Sequence, residues 1–330
     1  MPIVFKERIM KTIAVMTSGG DAPGMNPCVR AVVRTALSNG LAVKGVRRAF
    51  EGLASGDFAD MGPRDVGGII QKGGTTLMTS RFPEFDQVKY QRQALRHLNE
   101  AGIEGLVVIG GEGSMHGALA LSRLGYPVIG IPASIDNDVF GSQMSLGVDT
   151  ALNTIIEAID KLRDTASSHQ RAFIIETMGR DSGYLAVMAG IIGGAEVVLI
   201  PEQTTAAEEV ATAISEAYIR GKTHAIIVVA EGSNPHGQAL MEQLNAMNTG
   251  FQFRLTILGH IQRGGRPTAF DRLLAARFGV TAVERLMAGE HGVMVGLQGR
   301  EINTIALSDV CANKRRANLE YYRMAKMLAK

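Results

Sequence analysis

With 330 residues, 46% of them apolar and 20% charged, the chain is too long for one ordinary core and suits two domains. A net charge of +2 gives no field that would gather nucleic acid or an anionic membrane, and no segment approaches the roughly twenty uninterrupted apolar residues of a membrane span. Cys28 and Cys311 match no metal spacing, and no long apolar run follows Lys6, Arg8 and Lys11, so a cytoplasmic protein with reduced thiols is expected.

In chain order, residues 12–16 read as a strand, followed by a glycine turn and a helix over about 26–38, with Pro27 in its first turn and Gly40 past its end. Residues 106–109 repeat the device, with Gly110 and Gly111 before a helix reaching about Leu124, and 127–131 is a third apolar strand. Further strands are expected at 173–176, 197–200, 225–230 and 255–258. Helices are expected at about 150–166, 182–192, 206–220 and 268–287. Continuous apolar strands alternating with helices predict an α/β protein with mainly parallel sheets covered on both faces, whose ligands bind at the carboxyl ends of strands. The 39 glycines, beside no Trp, suit many tight strand-to-helix turns. Composition does not reveal a domain boundary.

The unusual residues fall at those strand ends. Thr17–Asn26 (TSGGDAPGMN) lets backbone approach a phosphate and aims a helix N-terminus at it, or is a tight connection that needs small residues. It is neither a Walker sequence nor a full dinucleotide fingerprint, so a nicotinamide dehydrogenase is disfavoured. Gly110–Ser114 (GGEGS) is a second such loop, with Glu112 either beside a magnesium ion or complementing the helix dipole. Gly73, Gly74 and Thr75 precede Arg81, a phosphate clamp in form, and Phe82, which could flank a base. Ile135-Asp136-Asn137-Asp138 sets two carboxylates two apart after a strand; such a pair divides labour between base and cation, or forms an ordinary turn. Ser167–Arg171 (SSHQR) precedes a strand and Met178-Gly179-Arg180 follows it; Arg254, His260 and Arg263 surround another, a distribution suited to a phosphorylated substrate. No Ser-His-Asp order or nucleophile elbow supports acyl chemistry.

Taken together, Thr17–Asn26, Gly110–Ser114, Ile135–Asp138, Met178–Arg180 and the stretch 258–265 resemble bacterial 6-phosphofructokinases, with 80–85 (SRFPEF) and 162–171 adding to the match. The resemblance runs from about Lys11 to about Gly296 and is weak from Leu297 onward. It implies two three-layer αβα domains with the active site in the cleft between them: residues 1–147 plus 262–312 for the nucleotide, 148–261 plus 313–330 for the sugar phosphate. It implies transfer of the ATP γ-phosphate to the 1-hydroxyl of fructose 6-phosphate, with Mg2+ as cofactor.

Residue by residue, Asp136 matches the family's base, with Gly20, Arg81 and Arg180 in the catalytic set. Gly20, Phe50, Arg81, Phe82, Gly111, Glu112, Gly113 and Ser114 match its nucleotide site, and Glu112 and Asp138 its metal-associated acids. Ser134, Asp136, Asp138, Met178, Gly179, Arg180, Glu231, His260 and Arg263 match substrate contacts. Arg171 and Arg254 match arginines supplied by a neighbouring subunit, implying a homotetramer with shared active sites. Arg30, Arg34, Arg163, Glu196, Arg220 and Lys222 match the regulatory pocket, although Arg30 and Arg34, four apart, also read as a solvated helix face.

The sequence departs from the family pattern in places. Glu112 stands where Asp is usual, Ser134 where Thr is usual, Phe50 where Tyr is frequent, Ala133 where Gly is usual, and Pro63 and Gly68 where Arg and Asp are frequent. Pyrophosphate-using relatives carry Asp and Lys at the places of Gly113 and Ala133, so ATP is the expected donor. The alternatives are a pyrophosphate-dependent enzyme or a silent regulatory subunit; the presence of Asp136 disfavours the second.

Overall fold

Six of the seven residues of the first strand, β1 (Thr12–Ser18), are buried, the signature of a strand covered on both faces. The computed structural model describes residues 10–169, 171–247 and 249–329; Lys6, Arg8 and Gln170 lie outside these. After β1 come α1 (Met25–Ser38), β2 (Ala42–Val46), α2 (Ala49–Ser55), β3 (Phe58–Asp60), α3 (Val88–Glu100), β4 (Gly105–Gly110), α4 (Glu112–Arg123) and β5 (Val128–Pro132). The chain continues through α5 (Val148–His169), β6 (Ala172–Thr177), α6 (Tyr184–Ile192), β7 (Val197–Leu199), α7 (Ala207–Ile219), β8 (Ala225–Ala230), α8 (Gly237–Ala246) and β9 (Phe253–Ile257). It ends with α9 (Ala269–Met287), β10 (Val293–Gln298), β11 (Glu301–Ala306), α10 (Leu307–Ala312) and α11 (Leu319–Leu328).

The chain forms two compact units. The first comprises Met1–Ser134, Val139–Gly147 and Arg266–Lys314; the second comprises Ile135–Asp138, Val148–Gly265 and Arg315–Lys330. Among the described residues the first holds a seven-stranded sheet in the order β11-β10-β5-β4-β1-β2-β3, parallel except for the edge strands β3 and β11. The second holds a parallel four-stranded sheet in the order β7-β8-β6-β9. Each has its own apolar core, one built around Met16, Leu53, Leu106 and Met115, the other around Ile174, Ile214, Ile227 and Leu244.

Every strand and helix expected from the sequence is present, with ends shifted by a few residues; the strand expected at 255–258 is β9, which starts earlier and stops before Leu258. The expected elements leave out β2, α2, β3, α3, α8, β10, β11, α10 and α11. No helix of the described residues is long and apolar enough to cross a membrane.

Candidate active site

In the first unit, β1 and β4 run side by side with Ser18 opposite Gly110, and from this pair the chain goes on to β2 on one side and β5 on the other. That reversal is the switch point at which open α/β sheets hold ligands. Both strands end in glycine loops that lead into helices, α1 from Gly24 and α4 from Gly111. The loops lie so close that a Cβ on Gly110 would stand 2.4 Å from Ser114 Oγ and 2.6 Å from the Ser18 carbonyl oxygen, so only glycine fits. Gly19, Gly20 and Gly113 are exposed, leaving backbone amides and two helix N-termini open to an anion.

The segment leading to Arg81 is fastened to the first loop. Asn26 donates to the carbonyls of Lys72 and Gly73 at 3.2 and 3.1 Å and accepts the Thr76 N–H at 2.8 Å, while Thr79 Oγ1 donates to the Gly19 carbonyl at 2.7 Å. These bonds hold exposed Arg81 near the first phosphate-type loop. Phe82 meets Tyr90 edge-on at 5.2 Å, whereas Phe50 is a core residue, 4.4 Å from Phe85 between ring centres. Glu112, on the first turn of α4, stands 3.9 Å from His116 Nε2 one turn on. Ala133 is buried and Ser134 half-buried at the end of β5.

In the second unit the sequence-predicted acids and arginines meet. Thr177 at the end of β6 pairs with Ala230 at the end of β8, which sets Met178-Gly179-Arg180 beside Glu231. Glu231 Oε1 accepts the N–H groups of Gly179 and Arg180 at 3.1 and 2.8 Å. These two bonds hold Arg180 at φ 51°, a left-handed conformation that is costly for a long side chain. The Arg180 carbonyl packs so tightly on Gly232 that a Cβ there would lie 2.1 Å from it. Asn137, between the two acids, is also left-handed at φ 51°.

Asp136 is the centre of this arrangement. It is 3% exposed, its Oδ2 lies 3.5 Å from Arg180 Nε, and its Oδ1 is buried without a hydrogen-bond partner. Burial, the charge of Asp138 and more weakly that of Glu231 push its pKa up to about 6, against the pull of Arg180 and Arg263. A buried carboxylate with one unengaged oxygen and a pKa near neutrality can accept a proton from a bound hydroxyl. Arg263 closes the turn after β9; His260, in the same turn, is exposed.

Arg171 and Arg254 are placed differently. They stand toward the amino ends of β6 and β9, most of a strand's length, about 15–20 Å, from Met178 at the other end of β6. Within one chain they do not join the Asp136 group.

Of the residues matched to a regulatory pocket, Arg30 and Arg34 lie on α1 of the first unit, where Arg34 and Pro63 line one surface pocket. In the second unit Lys222 Nζ is 3.0 Å from Glu196 Oε1, Arg163 donates to the carbonyls of Gly193 and Gly194, and Arg220 faces Glu216 at 3.7 Å. Glu196 and Arg220 also line a cavity of about 220 Å³ under α11.

Sequence reasoning assigned no role to Gln262. Fully buried, it accepts the Met178 N–H at 3.3 Å and donates to the Gly259 carbonyl, tying the turn after β9 to the turn after β6. A glutamine among glycines gives no local sign of this.

Glycine loops at strand ends in one unit, and an acid among arginines at strand ends in the other, are the parts from which phosphoryl-transfer sites are built. The chain belongs to the phosphofructokinase family, whose sequence model matches residues 12–286. The ATP-dependent 6-phosphofructokinase of Thermotoga neapolitana is 51% identical over 321 residues, which cover 97% of this chain and 100% of that protein. The protein of the same name from Clostridium acetobutylicum is 50% identical over the same shares. Among solved structures, phosphofructokinase from Saccharomyces cerevisiae superposes with a TM-score of 0.85 at 36% identity, covering 92% of this chain; this chain spans 45% of that one.

Proposed function

We propose that this chain transfers the γ-phosphoryl group of ATP to the 1-hydroxyl of fructose 6-phosphate, giving fructose 1,6-bisphosphate and ADP. The observation that carries this reading is Asp136: buried, held beside Arg180, and left with one unengaged carboxylate oxygen. The 1-hydroxyl donates its proton toward Asp136 Oδ1 as its oxygen forms the bond to phosphorus and the bond to ADP breaks. Arg180 stabilises charge on the transferred group.

The first unit is the nucleotide-binding domain. Amides of Gly20, Gly111 and Gly113, with Ser114, cradle the phosphates, Arg81 clamps them, and Phe82 flanks the base, while Phe50, packed in the core against Phe85, supports the site from beneath. Gly113 and Ala133 leave no carboxylate or lysine of the kind that favours pyrophosphate. The second unit binds the sugar phosphate through Asp138, Met178, Gly179, Arg180, Glu231, His260 and Arg263. Arg171 and Arg254, remote from Asp136 in their own chain, reach the site of a neighbouring subunit in a cytoplasmic homotetramer. Arg30, Arg34, Arg163, Glu196, Arg220 and Lys222 form an anion-binding regulatory pocket at a subunit boundary.

Magnesium is the cofactor this reaction calls for, and Glu112 and Asp138 each carry the hard carboxylate oxygens it takes. Bound with the nucleotide, it supplies charge neutralisation on the phosphates.

Purified protein supplied with fructose 6-phosphate and magnesium, and with ATP or pyrophosphate in parallel, tests the reading. Product with ATP alone supports it. Product with pyrophosphate alone overturns the choice of donor, and no product with either favours a silent subunit.

A further inference from the structure

The chain passes from the first unit into the second between Lys314 and Arg315, and its first three residues there are pinned from two sides. The Arg315 N–H donates to the Asp138 carbonyl at 3.3 Å. The Ala317 N–H donates to Glu202 Oε1 at 2.8 Å, and the same carboxylate accepts the Gly183 N–H at 3.1 Å at the start of α6. Tyr184 is the first residue of α6, and its ring lies under the Arg315 guanidinium, 5.5 Å from ring centre to Cζ. The Tyr184 side chain in turn hydrogen-bonds that of Asn137, and the charge of Asp138 acts on Arg315.

One short strap therefore reaches the 136–138 turn three ways: by backbone at Asp138, by charge at Asp138, and through Tyr184 at Asn137. The turn needs such support. Asn137 is buried in a left-handed conformation, which asparagine tolerates better than most residues, and its side chain is held by Tyr184. The two acids also repel each other; Arg180 stands 3.5 Å from Asp136, and the charge of Asp138 acts on Arg315. A planar guanidinium can lie flat on a ring and face a carboxylate at once, which an ammonium does less well.

We propose that Arg315, stacked on Tyr184, is a positioning residue for the Asp136–Asp138 turn, holding the base where it meets the substrate hydroxyl. This rests on the function proposed above. Misplacing a catalytic group by about 1 Å costs on the order of 100-fold in rate without a matching loss of binding.

The test compares wild type with Arg315→Met, which keeps the stem and removes the charge, with Arg315→Lys and with Tyr184→Phe. Each is assayed for kcat and KM, thermal midpoint and amide hydrogen exchange in the peptide spanning 135–139. Arg315→Met is expected to lower kcat about 10- to 100-fold, with KM for ATP and fructose 6-phosphate within about threefold and the midpoint close to wild type. Exchange in the turn is expected to rise about tenfold or more. Arg315→Lys recovers part of kcat, because it restores the charge but not the flat stacking, and Tyr184→Phe gives a smaller loss of the same kind. An Arg315→Met enzyme with kcat within about twofold of wild type overturns the proposal, as does a loss that tracks the folded fraction and that lysine fails to rescue. If wild type makes no product with ATP, the proposed function falls; exchange then decides alone, and an unchanged turn in Arg315→Met overturns the positioning role.

Discussion

Glu231 holds Arg180 by the backbone: its Oε1 accepts the Arg180 N–H at 2.8 Å and so fixes a left-handed arginine at the end of β6. The guanidinium is thereby aimed back at Asp136. Replacing Glu231 by Gln keeps an acceptor for both N–H groups and removes a charge, whereas Ala leaves both groups without it. Glu231→Ala is expected to lose about 1–3 kcal/mol of stability and about tenfold or more in kcat. Glu231→Gln should stay close to wild type in stability. Urea titration and steady-state kinetics on both variants check this.

The pH dependence follows from Asp136. Only its ionised form accepts a proton, and its pKa is pushed up to about 6. Activity as kcat/KM should therefore fall as pH drops through about 6. Removing the Glu231 charge takes away one of the groups that raise that pKa, so Glu231→Gln should move the acid limb to lower pH; Arg180→Met should move it higher. A limb near pH 4 in the wild type would contradict this environment for Asp136.

The same carboxylate bears on stability. Its folded pKa lies above the unfolded value, so its contribution is fully present below about pH 4 and is lost as pH rises through about 6. At pH 8, in magnesium-free buffer, Asp136→Asn is expected to be more stable than wild type by roughly 2–3 kcal/mol, a difference that shrinks toward pH 4. Denaturant midpoints at the two pH values measure it.

Why some of this could be foreseen and some could not is visible in particular residues. β1, β4, β6 and β8 are continuous apolar runs buried along nearly their whole length, and the glycines after β1 and β4 mark the turns at once. β2 alternates irregularly with Lys44 and Gly45 inside it, and α3 buries only Gln91, Ala94 and Leu98, too thin a stripe to stand out. The hairpin of β10 and β11 lies in the stretch where the family resemblance fades. Asp136, Arg180 and Arg263 were nameable because each sits in a short motif after a strand, whereas Glu231 was named through the family resemblance alone. The support given to the acids by Tyr184 and Arg315 was not, because these residues are far apart in sequence and meet only where the chain enters the second unit. Composition and periodicity do not mark the division into two units, since the chain passes between them several times; its expected boundaries came from the family resemblance alone.

The choice of phosphoryl donor is testable at Gly113. Nothing lies within 4 Å of where its Cβ would be, so Gly113→Asp should fold normally. The new carboxylate should repel nucleotide phosphates and raise KM for ATP about tenfold or more. A variant with unchanged KM for ATP would remove Gly113 from the nucleotide site.

The most direct test of the account is kcat of Asp136→Asn with magnesium ATP and fructose 6-phosphate, measured beside the affinity for both substrates. The amide preserves shape and burial but cannot accept the hydroxyl proton. Its kcat is expected to be lower by about 100- to 10,000-fold, with substrate affinities within a few-fold of wild type. A folded Asp136→Asn enzyme with kcat within about tenfold of wild type would contradict it, and the proton would have to leave by another group.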